Sequence, residues 1–147
     1  MRRALLWLSV AAWLAGGASA AVQSPAPNEE ARLRFAAAQH EIITILVREG
    51  QYDRVVEEFQ KILALGFAGP QEELVVRETW AIVKGLMEQH AYDTAHRVVE
   101  SALQTLKSDD SHFALLMLRG KLFKEQGRLR EALEAYRQAQ RLQQQRP

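Results

Sequence analysis

The chain has 147 residues, 48% of them hydrophobic, no cysteine and a formal net charge of +1. The lack of cysteine excludes disulfides, thiolate metal sites, a cysteine nucleophile and a bacterial lipid-modified N-terminus, which requires cysteine after the cut. The near balance of 19 basic and 18 acidic residues leaves no electrostatic footprint for nucleic acid or an anionic membrane surface.

Residues 1–20 have the order of a secretory signal peptide. Met1-Arg2-Arg3 is positive, Ala4 to Ala15 is almost wholly apolar, and Gly16, Gly17 and Ala18-Ser19-Ala20 are small. The export machinery and signal peptidase read that order. Ala18 and Ala20 fit the two small positions before a cut, so cleavage is expected after Ala20. Ser19 and Ala21 offer a cut one residue later. The alternative is a retained anchor, but the apolar run is short against the roughly 20 residues a bilayer span needs. Arg2-Arg3 is a weak twin-arginine match, which leaves the general export route. Cleavage removes both arginines and turns the net charge to −1. Export without cysteine suggests a bacterial periplasmic or secreted protein, with no membrane contact beyond the signal.

Residues 21–28 read as a linker, because Pro25 and Pro27 block helix and Asn28 can cap a helix from Glu29. From Glu29 onward the apolar residues recur at three- and four-residue steps, with no strand alternation, which predicts six helices. The first runs from about Glu29 to Glu49 and stops at Gly50. The second runs from about Tyr52 to Leu65, buries Val55, Val56, Phe59, Ile62 and Leu63, and ends at Gly66. The third starts at Gly69-Pro70 with Leu74, Val75, Ile82, Val83 and Leu86 as its apolar set. The fourth runs from about Tyr92 to Lys107. Ser108-Asp109-Asp110-Ser111 offers several N-caps to the fifth, which ends near Gln126-Gly127. The sixth begins near Leu129 and decays into a polar tail. The connections Gly50-Gln51, His90-Ala91 and Gly127-Arg128 are short enough to force antiparallel neighbours, giving three helical hairpins in series.

Equivalent segments open the second helix of each hairpin at Tyr52, Tyr92 and Leu129, spaced by 40 and 37 residues. In the last unit Gly120, Phe123, Gly127, Ala132, Tyr136 and Ala139 fall at fixed landmarks. That unit resembles the tetratricopeptide repeat family, whose unit is about 34 residues. Small Gly120 and Ala132 would let paired helices approach, while Phe123 and Tyr136 fill the gap. The second unit matches in part, through Val83, Leu86, Tyr92, Ala95, Val99 and Ala102. The first matches weakly, with Ile43, Val55 and Ile62 large where the family places small residues. No unit has the family's terminal proline. The resemblance implies an all-α fold of three antiparallel hairpins stacked as a short right-handed solenoid over residues 29–145, in units of about 36–69, 76–110 and 113–146. It also implies a non-enzymatic adaptor that binds a peptide or protein.

In a resembling fold the first helix of each hairpin lines a concave groove. The third unit's register then places His40, Thr44 and Arg48 there, with Arg77, Trp80, Lys84 and Met87, and with Met117, Lys121 and Lys124. Arg77, Trp80 and Lys84 share one helix face. Basic residues around an aromatic suit an extended peptide bearing a carboxylate or acidic side chains. A slip of one residue in the second unit would instead bury Trp80. The family's carboxylate clamp uses asparagines, and the only asparagine here is Asn28, so that specificity does not carry over. No capping helix follows the sixth, so Leu115, Leu118, Leu122 and Leu133 could pack inward, contact a partner, or pair two copies as a homodimer.

No catalytic constellation stands out, and no cofactor is implied. His96 and Glu100 lie one turn apart but lack a third metal ligand. The doublets Glu57-Glu58 and Glu72-Glu73 point in different directions along their helices and read as solvated surface.

Overall fold

A computed structural model describes residues 27–145, with side-chain environments from residue 28. The expected signal peptide and residues 21–26 of the linker lie outside them. Six α-helices are present among the described residues: α1 Pro27–Arg48, α2 Tyr52–Leu63, α3 Glu72–Glu88, α4 Tyr92–Thr105, α5 Asp109–Glu125 and α6 Leu129–Gln144. A 3-10 turn, Gly69–Gln71, precedes α3. No strand occurs among the described residues, whose regular structure is all-helical.

The chain divides into two compact units, Met1–Ala37 and Ala38–Pro147. In the first, α1 begins earlier than the sequence suggests. Pro27 is its first residue and Asn28 lies inside it rather than capping it. Proline costs nothing at that position, since the first turn has no hydrogen-bonding use for its missing N–H. Glu30 and Arg34 pair across one turn.

The second unit carries the hairpins. The α2 pattern is met in full: Val55, Val56, Phe59, Ile62 and Leu63 are all buried. Val75, Ile82, Val83 and Leu86 of α3 are buried, and Leu74 is half-buried. The largest wholly buried side chains include Phe59, Ile43, Ile62, Leu86, Leu115, Leu118 and Leu122. Each removes enough apolar surface from water to contribute about 1.5–3 kcal/mol before entropy is counted. Besides its 3-10 turn, α3 contacts α4 and α5; α4 also contacts α2 and α5, and α5 contacts α6. Side chains of α1 reach both α2 and α3: Gln39 bonds Glu58, and Val47 faces Gly85.

The three hairpin turns share one geometry. Gly50, His90 and Gly127 have φ of 72°, 57° and 71°. In each turn the next residue's N–H closes on a carbonyl five residues back: Gln51 to Leu46, Ala91 to Leu86 and Arg128 to Phe123, all at 2.9 Å. The left-handed residue itself bonds three residues back, to Val47, Met87 and Lys124. This paired bonding satisfies carbonyls that the helix end would leave open. His90 adopts a conformation its Cβ disfavours, at a place where the other two turns use glycine.

In the last hairpin the close approach is direct. A Cβ on Gly120 would stand 2.5 Å from Tyr136 Cε1. Ala132, Ala135 and Ala139 line the same helix, α6, and are all buried. Only small residues let α5 and α6 sit this near to one another.

Candidate functional site

The turn bonds put Leu46, Leu86 and Phe123 at equivalent places in the three hairpins, 40 and 37 residues apart. Counting from them, His40, Trp80 and Met117 are equivalent on the first helices. So are Thr44, Lys84 and Lys121, and so are Val47, Met87 and Lys124. Trp80, Met87 and Thr44 are half-buried, while Lys84, Lys121, Lys124 and Arg48 are exposed. Met117 is 37% exposed. Trp80 is therefore neither sealed in the core nor fully in solvent.

Two of the expected binding residues are already engaged. His40 Nδ1 lies 2.6 Å from Glu78 Oε1, with the pair largely shielded from water. That hydrogen bond raises the His40 pKa, against the opposing effect of burial and with help from the charges of Glu78 and Glu41. Arg77 reaches Glu73 at 3.5 Å, but both are exposed and the contact is worth little. Among the described residues, no ion pair involves Arg48, Lys84, Lys121 or Lys124.

For three of the four leucines the end-surface reading is corrected in favour of inward packing, the first of the alternatives. Leu115, Leu118 and Leu122 are wholly buried, because α5 is covered by α3, α4 and α6. Only Leu133, 49% exposed, remains at the surface. The acidic doublets are corrected too. Glu57 and Glu73 are solvated, but Glu58 and Glu72 are buried. Adjacent helix positions differ by about 100°, so one of a pair can point inward while the other faces water.

Glu72 is the more consequential of these. It sits at the start of α3 and accepts hydrogen bonds from the backbone N–H of Lys107 (2.9 Å) and Ser108 (3.0 Å), and from the Ser111 hydroxyl (2.8 Å). Burial pushes its pKa up, but the Ser108 and Lys107 amides and the two serine hydroxyls outweigh it and hold the value at about 2. Ser108 also caps α5 by accepting from Ser111 N–H. One carboxylate thus ties the first turn of α3 to the loop before α5. Lys61 and Gln39 likewise hold the Glu58 carboxyl below its usual range.

His96 and Glu100 do not converge on a common point. His96 Nε2 bonds Gln126 Oε1 at 2.7 Å and its ring lies 4.5 Å from that of Phe123. Glu100 faces Arg119 at 3.9 Å. Among the described residues, no group of three or more histidine or carboxylate side chains could hold a metal. A shallow cleft of about 430 Å³ lies among α4, α5 and α6, lined in part by Leu103, Leu116, Leu142, Arg119 and Arg141.

Sequence reasoning missed Glu72, Glu58 and Glu78. No family model matches the chain, and no similar curated protein or solved structure was found.

Proposed function

We propose that the three hairpins stack as a short right-handed tetratricopeptide-like solenoid, and that the protein is an exported, non-enzymatic adaptor. Its groove binds an extended peptide or protein segment carrying a carboxylate terminus or acidic side chains. The stacking is supported by the shared turn geometry, by the Gly120–Tyr136 approach and by the contacts of α2 with α4 and of α3 with α5. One observation carries the choice of ligand. Arg48, Lys84, Lys121 and Lys124 are exposed and lack ion-pair partners among the described residues, and they sit on successive first helices beside half-buried Trp80 and Met87. Unpaired cations around an aromatic favour an anionic, partly apolar segment. The residue order at positions 1–20 supports export to a bacterial periplasm or beyond.

The test is a tryptophan fluorescence titration of residues 21–147, where Trp80 is the one tryptophan, against three peptides of one apolar core: acidic with a free carboxylate, the same peptide amidated, and a basic counterpart. Saturable binding of the first is expected, weaker binding of the second and none of the third. Lys84→Glu with Lys121→Glu should weaken the first by about 10-fold or more, as two charge-assisted contacts are lost. Equal binding of all three peptides would overturn the proposal.

A further inference from the structure

His40 links two first helices and carries a proton that an imidazole releases near neutral pH. It lies on α1 four residues before Thr44 and eight before Arg48, so the three share a helix face. Its Nδ1 stands 2.6 Å from Glu78 Oε1 of α3, and the two side chains are 22% and 10% exposed. The pair thus spans the seam between α1 and α3 and still meets solvent. By the hairpin equivalences, the same place between α3 and α5 falls to Trp80 and Leu115, neither of which titrates. The other histidines are engaged away from the groove positions: His90 by Tyr92, His96 by Gln126 and His112 by the Leu106 carbonyl.

Each element packed against His40 contributes named charges. Glu78 faces it from α3, and half-buried Glu41 follows it on α1; both act on the ring. Also on α3, Arg77 turns to Glu73. Toward α2, neighbouring Gln39 bonds the Glu58 carboxylate, which Lys61 also holds at 2.7 Å. With His40 protonated, its charge cancels that of Glu78. With His40 neutral, Glu78 and Glu41 leave that end of the groove one charge more negative. Guanidinium and ammonium groups ordinarily keep their charge to about pH 9 and beyond, so the imidazole is the groove's titrating group near neutrality.

We infer that the proton on His40 sets how tightly the groove holds an acidic segment: the segment is held while His40 and Glu78 form an ion pair, and is repelled at the α1 end once His40 is neutral. This rests on the groove reading above. The sign follows from the pair's geometry. The Glu78 bond holds the His40 pKa above 6.5, so affinity is full at about pH 6 and falls as pH rises through the folded value. The coupling is reciprocal, and a bound acidic segment makes the His40 proton harder to remove.

The peptide titration above, repeated at low ionic strength at about pH 6 and about pH 8.5, tests this, because a carboxylate ligand stays ionised at both. The dissociation constant of the acidic peptide should rise by about 3-fold or more at the higher pH, as one partly screened charge allows. High salt should shrink the effect. His40→Gln keeps a side chain able to donate to Glu78 but does not titrate, and should show the weaker affinity at both pH values. An NMR titration of the His40 ring in the unaltered protein should show its midpoint raised by the logarithm of the same ratio, about 0.5, when the peptide saturates. Binding that does not change between the two pH values, a change retained by His40→Gln, or a midpoint unmoved by the peptide would overturn the inference. The midpoint needs no substitution, so it decides the matter even if His40→Gln fails to fold. No binding at either pH would overturn the groove reading and this inference together, whereas pH-independent binding overturns this inference and leaves the groove reading intact.

Discussion

Replacing Glu72 by glutamine removes a buried charge and leaves the shape of its site nearly unchanged. The carboxyl stands at about 2 in the folded protein against 4.5 for the free group. A group whose folded pKa is depressed adds stability above its unfolded pKa and loses it as pH falls through the folded value. At about 1.4 kcal/mol per unit, the charge contributes about 3 kcal/mol at pH 7. The same linkage gives about 1.4 kcal/mol at pH 3 and under about 0.5 kcal/mol at pH 2. Glu72→Gln should therefore lower the unfolding free energy by about 3 kcal/mol at pH 7, and the gap should close between pH 4.5 and pH 2. Urea unfolding of both proteins at several pH values, followed by far-ultraviolet circular dichroism, measures this. A gap that does not change from pH 7 to pH 2, or no gap at pH 7, would refute the argument. The first result would mean the loss is one of shape; the second would mean the hydrogen bonds to Lys107, Ser108 and Ser111 leave the charge no better off than water does.

Gly120→Ala should cost about 1–3 kcal/mol by overpacking against Tyr136, and adding Tyr136→Leu should recover part of it; chemical denaturation showing a neutral Gly120→Ala would remove the close-approach argument. His90→Gly should raise stability by about 0.5–1 kcal/mol, because relief of the left-handed strain exceeds the added chain entropy and the loss of the weak His90–Tyr92 contact; a lowered melting temperature would contradict it. His40 has a folded pKa above 6.5, so its charge should stabilise the fold fully below pH 6.5 and cease to do so as pH rises through the folded value. An NMR titration of the His40 ring should give a midpoint above 6.5 that falls towards it in Glu78→Gln; a midpoint unmoved by that change would show that Glu78 does not set it.

The helices were legible because burial here is periodic. Val55, Val56, Phe59, Ile62 and Leu63 fall on one face of α2 and are all buried, and a glycine or its left-handed equivalent marks each hairpin turn. Gly120 and Tyr136 were legible as a small and a large residue through the resemblance of the last unit to a tetratricopeptide repeat, and they meet. The buried carboxylates were not. The partners of Glu72 lie 35 to 39 residues away, and nothing local separates it from solvated Glu73. Pro27 misled through its usual role as a breaker, which does not apply at the first helical position. Leu115, Leu118 and Leu122 left three readings open: inward packing, a partner contact or a pairing of two copies. They pack inward, since α3, α4 and α6 enclose α5, and Leu129 and Leu133 of α6 are exposed. Among the residues expected on the first helices' open face, Lys84, Lys121 and Lys124 are exposed, as the register of the resembling repeat implied, whereas the internal partner of His40 depended on α3 lying beside α1.

The bonding of Glu72 also sets a timescale. Lys107 and Ser108 belong to a loop, where amide protons ordinarily exchange with water within seconds or less. Here both N–H groups point into one buried carboxylate from another helix, so neither can exchange until α3 and the loop part. The loop amides should therefore exchange at the rate of the helices around them. The last hairpin, whose helices fit most closely, would then open together with the one before it rather than fray away alone.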